Sequence, residues 1–267
     1  MAIFCLRQFS TRCKGWLFPL AAFLLLSSVQ SAQAFVNIER LRWSGKNSNF
    51  SCLIDMGADL KRGNTEVTDF SGGGTIGYRT GKNLFFLVGS GMYGDRAGQR
   101  YLNNAMGHLR LNRFLNDKWI FEAYTQIEED EFRLLLSRTL AGAGMRYIAI
   151  GSSSIRYALG LSLFMEHLRY DVPSSLPEYE DDALRLSGYG VINWQFSTIG
   201  SIDLLAYMQP RAEDFSDLRS TAEGALRVAL SERLMLNVTL NLTYDSDPVG
   251  AVEPYDLTLS NTLSLTF

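Results

Sequence analysis

Tyr255-Asp256-Leu257-Thr258-Leu259-Ser260-Asn261-Thr262-Leu263-Ser264-Leu265-Thr266-Phe267 closes the chain, and its side chains alternate in character. Leu257, Leu259, Leu263, Leu265 and Phe267 fall on one face; Asp256, Thr258, Ser260, Thr262, Ser264 and Thr266 fall on the other. A period of two marks a strand with one apolar and one polar face. Two kinds of protein finish this way. A soluble sandwich can end on an amphipathic strand. A barrel of the bacterial outer membrane ends on the strand that completes its wall. In the second case Leu263, Leu265 and Phe267 are the signal read by the barrel-assembly machinery, although Thr262 stands where a glycine is common.

The rest of the chain decides between them. From Phe50 onward about twelve stretches repeat the alternation, and none carries a sustained helical period. The cleanest, about 233–245, sets Leu234, Leu236, Val238, Leu240, Leu242 and Tyr244 against Asn237, Thr239, Asn241, Thr243 and Asp245. The stretches run roughly 10–16 residues, whereas soluble strands cluster near five or six. A tilted strand needs about 9–11 residues within the hydrocarbon, plus overhang.

The connections add a second signal. Those at 80–83, 115–118, 197–200 and 231–232 follow even-numbered stretches and are short. Those at 95–99, 171–182, 212–217 and 246–254 follow odd-numbered ones and are longer; the first, at Gly63-Asn64, is short. A barrel with an even strand number and both ends in the periplasm has short periplasmic turns and longer outer loops. The expectation is an all-β fold over residues 50–267, a transmembrane antiparallel β-barrel of about twelve strands.

Energetics then assign the faces. An Arg or Lys on the lipid side at mid-membrane costs about 2–4 kcal/mol. The charged faces must look inward, which makes Asp55, Asp59, Arg79, Arg110, Glu122, Glu128, Arg138, Arg146, Arg185, Asp203, Glu223 and Arg227 the candidate lumen-lining residues. Mixed signs leave two readings open. The charges line a polar pore for small solutes or ions, or they pair with one another and fill the barrel. The apolar faces meet outer-membrane lipid, with Trp119, Trp194 and Phe196 as periplasmic girdle candidates and Tyr244 as an outer one. In the sixth stretch, about 132–149, Leu134, Leu135 and Leu136 are contiguous, so its phase is the hardest to read.

Residues 1–34 read as a cleaved signal peptide. Arg7, Arg12 and Lys14 precede an apolar run from Trp16 to Leu26, and Ala32 and Ala34 are small residues suited to cleavage after Ala34. Residues 35–49 form a periplasmic lead-in segment. Cleavage leaves 233 of the 267 residues, and it removes three of the 25 basic residues and none of the 28 acidic ones. The remaining balance, 22 basic against 28 acidic, is mildly acidic and argues against a nucleic-acid partner. Cys52 is then the lone cysteine, so no internal disulfide is expected.

Little in the chain points to catalysis. His108 lies in His-Leu-Arg with no serine two residues on, and His167 lies near the acidic loop. No Cys/His set has metal-ligand spacing, and Gly72-Gly73-Gly74 sits inside a strand rather than before a helix, so no cofactor is expected. Glu178, Glu180, Asp181 and Asp182 suit either a divalent cation or basic solute, or simply a solvated loop.

Several fragments resemble one family. They are Val36-Asn37-Ile38-Glu39, Gly63-Asn64-Thr65, Gly77-Tyr78-Arg79, Asp130-Glu131-Phe132-Arg133, Ser137-Arg138-Thr139-Leu140 and Gly142-Ala143-Gly144. Together they are similar to the DUF481 family, whose members are often described as salt-induced outer-membrane proteins. The resemblance implies barrel architecture and outer-membrane location, with a link to osmotic or salt conditions. It implies no catalytic residue. The expected role is a passive channel or envelope protein for small solutes or ions. The alternatives are a non-conducting barrel with an ion-paired lumen and a lipid-directed hydrolase.

Overall fold

The computed structural model describes residues 49–61, 66–171, 179–250 and 252–266. They form twelve strands: β1 (Phe50–Lys61), β2 (Val67–Thr80), β3 (Asn83–Arg96), β4 (Gln99–Phe114), β5 (Trp119–Asp130), β6 (Leu135–Gly151), β7 (Ile155–Tyr170), β8 (Tyr179–Gln195), β9 (Gly200–Pro210), β10 (Leu218–Ala229), β11 (Leu234–Asp245) and β12 (Tyr255–Thr266). Each pairs antiparallel with its chain neighbours, and β12 returns to β1 to close the barrel. Closure removes the free sheet edge that would leave backbone donors and acceptors unpaired.

Alternation sets which side chains face in. Along β7, Leu159, Leu161, Leu163 and Met165 point outward, with Leu161 63% exposed, while Ala158, Phe164, Glu166 and Leu168 point inward and are buried. The same contrast holds on β12, where Leu257 and Leu263 are exposed and Thr258 and Ser264 are buried. Leu265 is half-buried on the outward side, and Phe267 lies outside the described residues.

The barrel has two unlike ends. The terminus end carries Phe50, Thr266 and the turns at 81–82, 115–118, 152–154, 196–199 and 230–233. The loop end carries the connections at 62–66, 97–98, 131–134, 171–178, 211–217 and 246–254. The expected parity therefore holds with one correction. The loop foreseen at 95–99 is a two-residue turn. Ala97 and Gly98 both take positive φ, 52° and 82°, as a tight primed hairpin turn requires, and a bulge at Gly94/Asp95 adjusts the register.

A second correction concerns the acidic loop foreseen at 171–182. β8 starts at Tyr179, so Glu180, Asp181 and Asp182 are strand residues. Each has its own basic partner: Arg169 for Glu180 at 3.1 Å, Arg211 for Asp181 at 2.9 Å and His167 for Asp182 at 2.9 Å. Glu178 lies outside the described residues.

The sixth strand starts later than foreseen. Asp130 accepts from the amides of Phe132 and Arg133 and caps a 3₁₀ turn at Glu131–Arg133. Leu134 follows in the left-handed region at φ 56°, and a bulge lies between Leu135 and Ser137. The turn and bulge together place Leu135 inside and Leu136 outside. The signal peptide at 1–34, the lead-in segment up to residue 48 and the Gly63-Asn64 turn lie outside the described residues.

Wall pairing is uneven. β1 meets β12 only from Leu53↔Thr266 to Met56↔Leu263, while β1 meets β2 along its whole length. β8 outruns β9, which ends at Pro210. There Arg211 spans the gap, bridging Arg185 through the backbone and binding Asp181 through both guanidinium nitrogens at 2.9 and 3.0 Å.

Candidate functional site

The barrel interior holds the chemistry of this chain, and it divides into three layers. In the loop-end layer Glu166 of β7 is the hub. It accepts from Arg138 Nε at 2.8 Å, from Arg219 Nη1 at 2.8 Å and from Arg185 Nε. Arg138 also meets Glu128 at 2.9 Å, which in turn accepts from Gln126 at 2.8 Å. Arg219 reaches Asp245 at 3.0 Å. Arg185 holds both carboxylate oxygens of Asp217 at 2.8 and 2.9 Å and the carbonyls of Gln209 and Asp217. Arg185 is 0% exposed, Glu166 2% and Arg138 3%. Charges this deeply buried persist only when paired and hydrogen-bonded, and each of these has at least two partners.

Asp217 comes from the 211–217 connection, which therefore folds over the lumen. Within it the Ser216 hydroxyl and amide bond to Asp214 Oδ1 at 2.6 and 2.9 Å and hold that carboxyl below the usual carboxylate range. Ser246 ties the same connection to its neighbour, donating to the Ser216 carbonyl at 2.9 Å and accepting from the Leu218 amide at 2.7 Å.

Aromatic rings and a second set of charges fill the middle layer. Tyr189 donates to Glu122 at 2.5 Å and stacks on Tyr207 with centroids 4.7 Å apart. Arg146 approaches the Tyr189 hydroxyl at 3.3 Å and lies over its ring. Arg110 lies 3.7 Å from Glu122 and over the Tyr124 ring, and Tyr124 shares a 2.9 Å bond with Ser162. The free space here is about 20 Å³. That is room for a single water, which needs about 10–15 Å³ of such space.

His108 belongs to this layer. Its Nδ1 meets Gln126 at 3.0 Å and its Nε2 accepts from Arg110 Nε at 3.2 Å. Both ring nitrogens are thus engaged by groups that cannot act as a hydroxyl nucleophile. His167 faces outward and meets Asp182. Neither arrangement supports the Ser-His logic of a hydrolase.

The terminus-end layer is looser. Asp203 pairs with Arg227 and accepts from Asn193 Nδ2 at 2.8 Å. Asn237 donates to Ser264 at 2.6 Å, and Ser264 bonds to Asp55. Beside these groups lies a cavity of about 270 Å³.

The candidate lumen residues can now be placed. Arg110, Glu122, Glu128, Arg138, Arg146, Arg185, Asp203, Glu223 and Arg227 are buried on the inner face. Asp55 is half-buried at the β1–β12 seam, and Arg79 is half-buried over the Phe114 ring at 4.8 Å. The Asp59 side chain lies outside the described residues. The structure adds Glu166 and Asp217, which sequence reasoning missed, and brings in Arg219 and Tyr189 from the polar faces of β10 and β8. Glu166 had a readable signal, as an acid between Phe164 and Leu168 on one face of β7. Asp217 had none, because only folding of its connection brings it to Arg185.

The chain belongs to the DUF481 family, described as a protein of unknown function, whose sequence profile matches residues 54–267. No curated protein matches it significantly. Among solved structures, a NanC porin is similar with TM-score 0.47 and 8% identity, covering 81% of this chain and 97% of the porin. A KdgM porin gives 0.41 and 10%, covering 82% and 98%. The translocator domain of the autotransporter NalP from Neisseria meningitidis gives 0.39 and 10%, covering 86% and 93%. Likenesses this distant carry nothing about what the chain does.

Proposed function

We propose that this member of the DUF481 family is a bacterial outer-membrane barrel whose lumen is occluded by its own ion pairs. In this reading it is a closed envelope protein rather than a standing pore. The carrying observation is the buried Arg138–Glu166–Arg185 array on the neighbouring strands β6, β7 and β8, which Glu128 of β5 and Arg219 and Asp245 of β10 and β11 extend around the wall. The packed tyrosine layer beneath it supports the same reading. Passage of small solutes or ions requires both layers to move.

Membrane location rests on the outer face. Leu87, Leu109, Ile127, Leu161, Met208 and Leu240 are exposed around the wall. Soluble monomers rarely show a contiguous apolar patch above a few hundred Å². Lipid accepts such a belt, and it accepts the backbone because the sheet is closed. The terminus end then faces the periplasm and the longer loops face outward. Salt enters this reading through Arg211 and Asp181, which are partly exposed and screened at high ionic strength, unlike the buried array.

Refolded mature protein in planar bilayers tests occlusion, and no conductance steps are expected at moderate salt. Unchanged gel mobility after boiling, or recovery away from outer-membrane fractions, would refute the membrane barrel. Deleting Phe267 is expected to reduce insertion; normal insertion of that truncation would remove the role given to Leu263, Leu265 and Phe267 as an assembly signal.

A further inference from the structure

The outer wall differs between its two rims in how exposed charge is compensated. At the loop end Arg100 meets Glu131 at 2.8 Å and Arg169 meets Glu180 at 3.1 Å. At the terminus end Lys82, Arg113 and Lys118 are exposed, and none of the three makes an ion pair among the described residues.

These cations share one sector of the rim. Lys82 lies in the turn between β2 and β3, and its carbonyl accepts from the Phe114 amide at 2.8 Å, which sets it beside Arg113. Arg113 lies on the outward face of β4, directly between Asn83 of β3 and Phe121 of β5. Lys118 lies in the turn between β4 and β5. There Asn116 Oδ1 accepts from the amides of Lys118 and Trp119, each at 2.9 Å, and fixes the turn. The carboxylate of these two turns is Asp117. The other terminus-end turns carry no such excess. Residues 152–154 are all serine, 196–199 are uncharged, and 230–233 hold Glu232 against Arg233.

Aromatic rings mark the depth of this sector. Trp119 is 43% exposed and packs on Tyr147 with centroids 4.9 Å apart, and Tyr78 is exposed on β2. Such rings settle at the level of lipid headgroups. An outward arginine is costly at mid-membrane but not at that level, where its stem lies along the apolar wall and its guanidinium reaches the phosphates. Three cations against one carboxylate leave positive charge. A zwitterionic headgroup does not balance it, because its own amine offsets its phosphate.

We propose that the outer face of the 81–82 and 115–118 turns is a binding site for an anionic glycerophospholipid of the periplasmic leaflet. Arg113 donates to the phosphate oxygens, Lys82 and Lys118 add charge on either side, and Trp119 and Phe121 pack the upper acyl chains. The inference rests on the membrane reading given above, and it is independent of whether the lumen conducts.

Lipids brominated near the headgroup end of their chains quench tryptophan on contact, and so report which lipid sits beside which indole. The mature chain has three tryptophans, Trp43, Trp119 and Trp194. Trp43→Phe with Trp194→Phe keeps Trp119 at the site. Trp43→Phe with Trp119→Phe keeps Trp194, which is exposed beside the uncharged turns and serves as the internal control. Each protein is refolded into vesicles of phosphatidylcholine with a minor share of phosphatidylglycerol, in which either the phosphatidylglycerol or an equal amount of the phosphatidylcholine is brominated. Attraction of each cation to an anionic surface amounts to about fivefold in affinity. Trp119 is therefore expected to report an association constant at least about fivefold higher for phosphatidylglycerol than for phosphatidylcholine, and Trp194 a ratio near one. Lys82→Gln with Arg113→Gln should bring the Trp119 ratio close to one, with heat-modifiable gel mobility checking that the variant is folded. Equal association of the two lipids at Trp119 would overturn the site. The same preference at Trp194 would make it a general surface attraction and would also overturn it. A Trp119 preference unchanged by the double substitution would overturn the assignment to these cations. Quenching of neither indole by either lipid would refute the membrane reading itself, and the site with it.

Discussion

The two ends of one lumen are filled by different means. At the loop end the interior is closed by Arg138, Arg185 and Arg219 around Glu166, and at the terminus end it keeps a cavity beside Asp203 and Arg227. The connections explain the contrast. The 211–217 connection is long enough to fold inward and carry Asp217 to Arg185. The turns at 152–154, 196–199 and 230–233 are too short to reach the axis. Occlusion at the loop end is therefore a property of loops as much as of strands. The terminus end is left with whatever the strand side chains do not fill.

Substitutions at the two ends should differ accordingly. Glu166→Gln breaks the hub and leaves three arginines facing one another. Removing one partner of a buried ion pair costs about 3–5 kcal/mol. The expected result is a loss of that size in urea unfolding of the refolded barrel, and a smaller loss would demote Glu166 from hub to bystander. Asp217→Asn keeps the strands and the backbone carbonyl contact to Arg185 but removes the loop's carboxylate charge from it. Hydrogen bonds to charged groups contribute about 1.5–3 kcal/mol, so a loss in that range is expected by the same measurement. No loss would show that the connection does not close the lumen.

At the terminus end the sign should reverse. Ala229→Phe fills space rather than breaking a pair, and cavity-filling changes commonly add about 0.5–2 kcal/mol. Destabilisation would mean that the cavity is tighter than its volume suggests. The smallest effect is expected outside both layers. Arg100 and Glu131 pair at 2.8 Å but are exposed, and exposed pairs contribute about 0.2–1 kcal/mol or less. Arg100→Ala should shift unfolding within that range, and only at low salt.

These differences also mark what could be read from the chain. Wall and facing were legible because period-two alternation sets an apolar outer face against a charged inner one. Strand β11 is the clearest case, with Asn237, Asn241 and Asp245 inside and Leu240 and Leu242 outside. Which charges meet was not legible. Arg138 and Glu166 lie on neighbouring strands, but register depends on the bulge near Leu135, and alternation alone does not reveal that extra residue. The acidic stretch at 180–182 misled because carboxylates read as loop, whereas Arg169, Arg211 and His167 hold them in a strand. The cavity was illegible for a further reason. It is defined by side chains from β1, β8, β9, β10, β11 and β12 that fail to fill the axis, and no local pattern records a shortfall.

Single-channel recording of the wild type beside Glu166→Gln, in planar bilayers at about 1 M salt, tests occlusion most directly. Surface pairs are screened at that ionic strength, where the Debye length is about 3 Å, but buried ones are not. A silent wild type is expected, with discrete conductance steps, or raised leak, once the hub is broken. Stable ohmic steps from the wild type, unchanged by Glu166→Gln, would contradict occlusion.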